Sequence, residues 1–310
     1  MSALSIVIVS WNVQDLLRTS LRSIFAHADG IGLDVIVVDS ASADGTVAMV
    51  ENEFPQVNLL AQTKNVGFAR GNNIGIAAAT APNILLLNPD TEVVGNALSE
   101  MVAFLEQNDD VGIVGSELLN PDMTHQSSRR RFPTVWTLFF ESTWLQRFAP
   151  KSILRRYYMW DSADHAITDC DWVSGACMLT RRDVLEQVGG FDEAYFMYSE
   201  ELDWCRRIKD VGWRIVYYPA AKIIHHVGKS SEQAVAHRHI NFNRAKLRYV
   251  RKYHGRIPYL ALRLFLLFNY VQQIEIELFK GILGHKRPLR WQRVGVYWRV
   301  LRSGLPAAGY

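Results

Sequence analysis

The sequence predicts an α/β protein with a mostly parallel β-sheet flanked by helices. Short runs of β-branched and other apolar residues alternate with segments of helical periodicity over about the first 110 residues. The runs are almost wholly apolar, as expected of strands that are buried on both faces. A helical segment separates most successive runs, which is the right-handed crossover that neighbouring parallel strands require.

The pattern places each element of this region in turn. Ser5–Ser10 is the first strand, and Asp15 caps a helix whose apolar residues recur at helical spacing up to Phe25. The further strands are predicted at 34–39, 57–60, 84–87 and 111–114. The further helices are predicted at 45–54, 71–79 and 97–107. Later in the chain, 200–209 is predicted as a helix and 214–218 as a strand.

Length and composition indicate a globular protein with an extension. With 310 residues, 49% hydrophobic and 21% charged, the chain can bury a full core, which excludes disordered and small disulfide-rich classes. We expect one domain over 1–240, with halves at 1–115 and 116–240, and a helical basic extension over 241–310. Only three cysteines are present and the amino terminus lacks a signal-peptide pattern, so we expect a cytoplasmic protein.

Polar residues follow four of the predicted strands. They are Trp11 and Asn12, Asp39 and Ser40, Lys64 and Asn65, and Asn88 to Asp90. Ligands of parallel sheets bind beyond the carboxyl ends of the strands, so four such sets predict a site at that edge. The alternative for any one of them is a turn or a helix cap.

The absent motifs narrow the chemistry of that site. The chain has no Gly-x-Gly-x-x-Gly after its first strand, no phosphate-binding loop of the Gly-x-x-x-x-Gly-Lys type and no His-Glu-x-x-His. Asp90 follows a strand, a suitable position for a carboxylate that holds Mg²⁺, which takes its other ligands from water and substrate phosphates. The sequence therefore favours a nucleotide-diphosphate substrate neutralised by a divalent cation.

A second group of acids begins the helix predicted at 200–209. Glu200, Asp203 and Arg207 share one face, and Glu201 points elsewhere near the helix start. Acids at a helix amino terminus also match its dipole, which is the alternative interpretation. Aromatic neighbours would desolvate a carboxylate and make it a better base.

Two histidines, His225 and His226, lie beyond the strand at 214–218 and precede the loop 227–231. One interpretation is a packed or solvent-facing pair. The other is that one of them meets a metal or a diphosphate beside the Gly-Lys-Ser-Ser sequence of that loop.

Seven ordered motifs resemble family-2 glycosyltransferases, and most closely the rhamnosyltransferase-like branch that builds bacterial cell-surface polysaccharides. The resemblance covers residues 4 to about 255 and implies a GT-A fold, a Rossmann-like sheet with flanking helices. It also implies a nucleotide-diphospho-sugar donor, Mg²⁺ or Mn²⁺, and inversion at the anomeric carbon. The motifs are 5–12, 37–46, 65–73, 86–90, 172–176, 190–193 and 200–206.

The resemblance implies a role for each matched position. Asp90 and His225 match metal-binding positions, with Asn88 where the family's metal motif has its first aspartate. Glu201 matches the general base, where aspartate is more usual. The positions implied in binding the nucleotide-sugar are Trp11, Asn12, Asp39, Asn65, Arg70 and Asn88. Those implied in binding the sugar or acceptor are Trp172, Gly175, Glu200 and Asp203, with a core position as the alternative for Trp172.

The extension differs from the rest of the chain in charge. Residues 241–310 contain 14 lysines and arginines and two acids, a net charge of +12, whereas the preceding residues carry −9. The apolar run 257–271 contains Arg263 and Asn269 and is too short to span a bilayer, which needs ~20 residues. Basic and aromatic residues together favour an amphipathic helix on an anionic membrane. A hairpin packed on the domain, or on a second copy in a homodimer, is the alternative.

We therefore expect an inverting glycosyltransferase at the inner face of the cell membrane. The donor would be a dTDP- or UDP-linked sugar, rhamnose among the candidates, and the acceptor a lipid-linked or polysaccharide chain. The alternative function is a sugar-nucleotide-binding module without turnover. No nucleic-acid motif accompanies the basic charge, so no nucleic-acid partner is expected.

Overall fold

The computed structural model describes residues 3–28, 30–141, 143–226, 235–284 and 286–307. The strands in these ranges are β1 (Leu4–Ser10), β2 (Leu33–Asp39), β3 (Asn58–Ala61), β4 (Asn83–Leu87), β5 (Thr91–Val94), β6 (Val111–Leu119), β7 (His125–Gln126), β8 (Arg129–Arg130), β9 (Thr168–Cys170), β10 (Trp172–Val173), β11 (Cys177–Arg181) and β12 (Arg214–His225).

Helices connect or follow these strands. They are α1 (Gln14–Ala26), α2 (Thr46–Glu53), α3 (Phe68–Ala78), α4 (Ala97–Glu106), α5 (Val135–Phe140), α6 (Lys151–Tyr158), α7 (Arg182–Val188), α8 (Glu200–Asp210), α9 (Val235–Tyr253), α10 (Arg256–Ile282) and α11 (Arg287–Arg302), with a 3₁₀ turn at Trp144–Phe148.

The predicted mostly parallel sheet is confirmed. Its main path runs β3-β2-β1-β4-β11-β6-β12-β5, with β7 on β6 and β9 on β12. Strands β3, β2, β1 and β4 are parallel neighbours, as are β6 and β12. Strand β11 lies antiparallel between β4 and β6, and β5 is antiparallel to β12. The separate pair β8–β10 is also antiparallel.

The sheet separates two apolar clusters, because successive side chains of a strand point to opposite faces. Ile6 and Ile8 of β1 belong to one cluster, whereas Val7 and Val9 belong to the other. All seven residues of β1 are buried, as the apolar run predicts. This two-sided burial fixes the register of the central strands and hence the positions of the loops at their carboxyl ends.

Two glycines of α3 set how closely that helix packs on β1. A Cβ at Gly75 would lie 2.2 Å from Cγ1 of Val7, and one at Gly71 would lie 2.7 Å from Cγ1 of Val9. Any larger side chain would push the helix away from the strand. The helix also begins at Phe68, three residues before the predicted start.

Strand β12 is longer than predicted. It continues beyond 218 to His225, with a register shift against β6 between Tyr218 and Lys222. The extra residues at this irregularity, among them a proline, hid the continuation in the sequence.

The chain divides into two compact units. Unit 1 comprises 1–132, 150–193 and 200–230, and unit 2 comprises 133–149, 194–199 and 231–310. Unit 1 contains the sheet. Unit 2 contains α5, α9, α10 and α11, so the predicted carboxyl-terminal helices are confirmed.

Interactions within unit 2 link its helices. Glu277 of α10 forms a buried ion pair with Arg290 of α11 at 2.8 Å. The ammonium of Lys246 in α9 lies 3.1 Å from the carboxylate of Glu141, which follows α5. Among the helices described here, none is both long and apolar enough to cross a bilayer.

Candidate active site

One carboxylate oxygen of Asp39 is left available at the end of β2. Its Oδ2 accepts a hydrogen bond from the backbone N–H of Ser42 at 2.9 Å. Its Oδ1 is buried and has no hydrogen-bond partner among the described residues. Because Asp39 is only 1% exposed, an unpaired oxygen there is costly unless a ligand donates to it. The structure thus places a hydrogen-bond acceptor where the sequence predicts nucleotide binding.

The loops after β1 and β2 are bonded to each other beside Asp39. The backbone N–H of Asn12 donates to Oγ of Ser42 at 2.9 Å, and the N–H of Ala43 donates to Oδ1 of Asn12 at 2.7 Å. Asn12 and Ala41 both have left-handed backbones, with φ of 52° and 60°. Such non-glycine conformations cost about 1–3 kcal/mol and persist where surrounding bonds enforce them. Asn12 was predicted, but Ser42 and Ala41 were not.

Asp44 accepts hydrogen bonds from the first residues of α1 and α2. Its carboxylate accepts the backbone N–H of Gln14 at 2.9 Å and that of Thr46 at 3.1 Å. Burial alone would raise its pKa, but the hydroxyl of Thr46 and these N–H groups hold the pKa of Asp44 below its usual value. The loops around Asp39 are therefore held from both sides. Trp11 is half-buried beside them.

Asp90 and His225 meet at the same edge of the sheet. Nε2 of His225 lies 3.4 Å from Oδ1 of Asp90, and the two residues are 9% and 5% exposed. The side-chain nitrogen of Asn88 lies 3.5 Å from the same Nε2, while Oδ1 of Asn88 is buried without a described partner. The predicted metal-binding positions are thus adjacent in space.

The backbone explains this meeting. Strand β5 begins at Thr91, directly after Asp90, and pairs with β12 so that His225 lies opposite Thr91. Oγ1 of Thr91 donates to the carbonyl of Asn88 at 2.7 Å, and the N–H of Asn88 donates to the carbonyl of Ala176 at 2.9 Å. These bonds hold the turn between β4 and β5 in place.

His226 has a different partner. Its Nε2 lies 2.6 Å from Oε1 of Glu92. The structure therefore brings His225, and not His226, next to Asp90. The Gly-Lys-Ser-Ser sequence at 228–231 lies outside the described residues.

The Asp90–His225 site suits a hard divalent ion. The described residues contain no cluster of three or more His, Cys, Asp or Glu that could hold a metal. Mg²⁺ needs fewer, because it often binds through one or two carboxylates and takes water and substrate phosphates as its other ligands. With bonds of ~2.1 Å, two adjacent octahedral ligands lie ~3 Å apart, close to the Asp90–His225 separation.

Glu200 and Glu201 open helix α8 with different surroundings. Glu200 is 3% exposed, and burial, followed by the charge of Glu201, raises the pKa of Glu200 well above its usual value. Glu201 is half-buried. A Cβ at Gly175 would lie 3.6 Å from Cβ of Glu201, so Gly175 leaves space beside that side chain. Burial therefore favours the neutral form of Glu200, whereas Glu201 is less buried.

Asp203 is bonded inside the protein. Its carboxylate is fully buried and lies 3.0 Å from Nε of Arg207. Arg207 also donates to the carbonyls of Val188 and Gly190, at 2.8 and 2.7 Å. Asp203 is thus linked through Arg207 to the 189–191 turn.

The side chain of Asn73 also binds the backbone of the 189–191 turn. Its Oδ1 accepts the N–H of Phe191 at 2.8 Å, and its amide donates to the carbonyl of Phe191 at 2.9 Å. A Cβ at Gly190 would lie 2.3 Å from Oδ1 of Asn73. Asn73 ends the 65–73 motif but is not among the predicted site residues.

The remaining predicted residues lie around these groups. Oδ1 of Asn65 accepts the N–H of Gly67 at 2.9 Å, forming the turn before α3. Arg70 is largely exposed and lies 3.9 Å from Glu193. The indole N–H of Trp172 donates to the carbonyl of Arg131 at 3.1 Å, and its ring packs against the sheet's second apolar cluster.

Comparisons with known proteins identify the family of this chain. The model of the family described as glycosyltransferase like family 2 matches residues 2–241. The N-acetylglucosaminyl-diphospho-decaprenol L-rhamnosyltransferase of Mycobacterium tuberculosis is 29% identical over 210 residues, covering 64% of this chain and 68% of that protein. The rhamnosyltransferase WbbL of Escherichia coli is 31% identical over 171 residues, covering 52% and 61%.

A solved structure has the same fold. The mannosyltransferase PcManGT of Pyrobaculum calidifontis, solved in complex with GDP-Man and Mn²⁺, aligns with a TM-score of 0.55 at 19% identity. The alignment covers 99% of this chain and 76% of that one. With its GT-A fold and a family match over most of its length, this chain belongs to glycosyltransferase family 2, in which it is similar to rhamnosyltransferases.

Proposed function

We propose that this chain is an inverting glycosyltransferase that transfers a sugar, rhamnose among the candidates, from a dTDP- or UDP-linked donor to a lipid-linked or polysaccharide acceptor. The observation that carries the proposal is the contact between Asp90 and His225 at the sheet edge that also holds Asp39. The names of the Mycobacterium tuberculosis and Escherichia coli relatives support the sugar, and that of the former supports a lipid-linked acceptor.

Asp39 would recognise the nucleotide base. Uracil and thymine carry one ring N–H, a donor suited to the unpaired Oδ1 of Asp39. Trp11 and Asn12 would line the same pocket, with Asn65 and Arg70 in the donor-binding loop. Cytosine lacks that ring N–H, so this arrangement favours a dTDP or UDP donor over a CDP donor.

Asp90 and His225 would hold Mg²⁺ or Mn²⁺, with Asn88 beside them. When bound, the ion would stabilise the negative charge that develops on the departing diphosphate. The protein's part is to keep two donor atoms close together in a nearly buried place, where electrostatic interactions are stronger than in water.

Glu201 would act as the general base. It would accept the proton of the acceptor hydroxyl while that oxygen attacks the anomeric carbon from the side opposite the leaving group, which inverts the configuration. Burial, followed by the charge of Glu201, raises the pKa of Glu200, which favours a neutral group beside the base. Gly175 leaves room for substrate next to Glu201.

Asp203 and Trp172 would act as positioning residues. Asp203 orients Arg207, which binds the carbonyls of the 189–191 turn. The bond from Trp172 to the carbonyl of Arg131 would keep the strand before Gly175 in place. Neither residue needs to touch the sugar to affect the reaction.

Unit 2 would bind an anionic membrane surface. Seven large apolar side chains on α10 are 38–82% exposed and recur on one helix face, interrupted by Glu275. We call them the α10 stripe: Ile257, Leu260, Leu264, Phe268, Val271, Phe279 and Ile282. The stripe lies within a segment of net charge +12, which complements anionic lipid headgroups.

Release of nucleoside diphosphate tests this function. The purified protein is incubated with dTDP-rhamnose or UDP-sugars and a polyprenyl-diphospho-sugar acceptor, with Mn²⁺ or with a chelator. We expect release that requires both the acceptor and Mn²⁺, and a product of inverted configuration. Equal release with the chelator would contradict the metal assignment, and release from GDP-sugars alone would contradict the proposed dTDP or UDP donor.

A further inference from the structure

We infer that a chain of hydrogen bonds from the β6–β7 hairpin sets the tautomer of His225, with Gln126 as the positioning residue that leaves Nε2 free to bind a cation. The inference rests on the proposed metal role of His225. Gln126, Asn120, Thr124 and Asp122 belong to none of the predicted site motifs.

The side chain of Gln126 makes a shorter contact with the His225 ring than Asp90 or Asn88 does. Nδ1 of that ring lies 2.7 Å from Oε1 of Gln126. The side-chain nitrogen of Gln126 also donates to the backbone carbonyl of His225, at 3.3 Å. Gln126 therefore holds both the ring and the backbone of that residue.

The rest of the chain fixes which end of the Gln126 amide faces the ring. The side-chain nitrogen of Gln126 donates to Oδ1 of Asn120 at 2.9 Å, and the nitrogen of Asn120 donates to Oγ1 of Thr124 at 2.9 Å. The hydroxyl of Thr124 donates to Oδ1 of Asp122 at 2.6 Å.

The direction of every bond follows from Asp122. An ionised carboxylate only accepts, so Thr124 must donate to it and accept from Asn120, whose oxygen then accepts from Gln126. The bonds of Thr124 keep the pKa of Asp122 below its usual value, so this end of the chain is charged at neutral pH. The Gln126 oxygen can only accept, and Nδ1 of His225 must carry the hydrogen.

A hydrogen on Nδ1 determines what Nε2 of the His225 ring can bind. A neutral imidazole with its hydrogen on Nδ1 presents a lone pair at Nε2. That lone pair lies 3.4 Å from an oxygen of Asp90, so two electron-pair donors face each other. Such a pair suits a cation bound by both. The opposite tautomer would place a hydrogen on Nε2 and direct it at Asp90 instead.

Backbone hydrogen bonds close the hairpin around Asn120 and Thr124. The backbone N–H of Asn120 donates to the carbonyl of Thr124 at 2.8 Å, and that of Met123 donates to the carbonyl of Asn120 at 2.8 Å. Met123 has a left-handed backbone and is 52% exposed, so its side chain takes no part in the chain.

Three variants and one control separate this role from a merely structural one. Gln126→Leu removes the acceptor of the Nδ1 hydrogen, whereas Gln126→Glu keeps an acceptor there. Thr124→Val breaks the chain at a distance from the ring. Met123→Gly is the control, because it changes the same hairpin and leaves every bond of the chain intact.

Two measurements on the full chain decide the inference. The ¹⁵N shifts of His225 in the metal-free protein report the tautomer, and the EPR signal of free Mn²⁺ reports affinity. We expect hydrogen on Nδ1 in the wild type, Gln126→Glu and Met123→Gly. We expect a mixture of tautomers and ~10- to 100-fold weaker Mn²⁺ binding in Gln126→Leu, the usual effect of losing such an outer partner. Thr124→Val should show a smaller change of the same kind.

The outcomes also distinguish this inference from the proposed function. Hydrogen on Nε2 in the wild type, or an unchanged tautomer and Mn²⁺ affinity in Gln126→Leu, would overturn the inference. If Gln126→Leu does not fold, an unchanged tautomer in Thr124→Val would do so. A wild type with the expected tautomer but no Mn²⁺ binding would instead contradict the proposed metal site and, with it, the purpose inferred for the chain.

Discussion

Nε2 of His225 lies 3.4 Å from Oδ1 of Asp90, although the next residue of the chain bonds elsewhere. His226 directly follows β12 and lies 2.6 Å from Glu92. Two adjacent histidines therefore meet two different acids. This difference gives a control, His226, that is one position away from the proposed site residue.

Glu201→Gln is expected to lower kcat by ~10²- to 10⁴-fold, because the amide cannot accept the acceptor's proton. Donor affinity should be unchanged. Glu186→Gln, at an exposed acid of α7, is the control. Initial rates and donor titrations measure both effects, and near-normal turnover would move the base to another residue.

Glu200→Gln is expected to change how stability depends on pH. The folded pKa of Glu200 is raised above the usual 4.5, so the folded state binds the proton more tightly. The contribution of protonated Glu200 to the unfolding free energy is therefore fully present below pH ~4.5. It falls as the pH rises towards the folded pKa, by up to ~1.4 kcal/mol per pH unit.

The amide removes this dependence, so the variant should gain stability relative to the wild type from pH 5 to 8. Urea unfolding at each pH measures the difference. Two curves that stay parallel would show that Glu200 is ionised in the folded protein.

Gly75→Ala is expected to lower stability, whereas Gly175→Ala is expected to lower activity. A Cβ at Gly75 would lie 2.2 Å from Val7, so the first variant should lose ~1–3 kcal/mol of unfolding free energy. A Cβ at Gly175 meets ordinary contacts at 3.6 Å, so stability should change by less than ~0.5 kcal/mol.

Activity should be lowered more by Gly175→Ala than by Gly75→Ala. The added methyl of Gly175→Ala lies beside Glu201 and should lower kcat/KM. Urea unfolding and initial rates test the pair. Full activity of Gly175→Ala would exclude Gly175 from the acceptor pocket.

Leu264→Glu with Phe268→Glu is expected to release the protein from anionic liposomes. Both side chains belong to the α10 stripe and are 67% and 57% exposed. Each basic residue near an anionic surface adds ~1 kcal/mol, so wild-type binding should weaken with salt.

The control replaces two exposed apolar residues of unit 1, Ile167→Glu with Val211→Glu, which are 57% and 47% exposed. Sedimentation with anionic and neutral liposomes compares the variants. Equal behaviour, together with a smaller oligomer for the stripe variant, would assign the stripe to a homodimer.

Much of the fold was predictable because its central strands are buried on both faces. The apolar runs located β1 to β4 and β6, and the strand-end rule located Asp39 and Asp90. The antiparallel strand β11 was not predicted, because its placement between β4 and β6 depends on pairing across the chain.

The contacts that orient the site were harder to predict. Gln126 reaches His225 across 99 positions of sequence, and Asn73 reaches Phe191 across 118. Neither residue belongs to a local pattern that indicates such a bond. The left-handed Ala41 was also unexpected, because alanine has no intrinsic preference for that conformation.

Manganese binding by His225→Gln and His226→Gln tests the central claim most directly. The two variants make the same change at neighbouring residues, and the EPR signal of free Mn²⁺ in the presence of dTDP or UDP reports affinity for each. We predict at least ~10-fold weaker binding for His225→Gln, and wild-type affinity for His226→Gln. Equal affinity of the two variants, or a loss confined to His226→Gln, would contradict the assignment of Asp90 and His225 as the metal site.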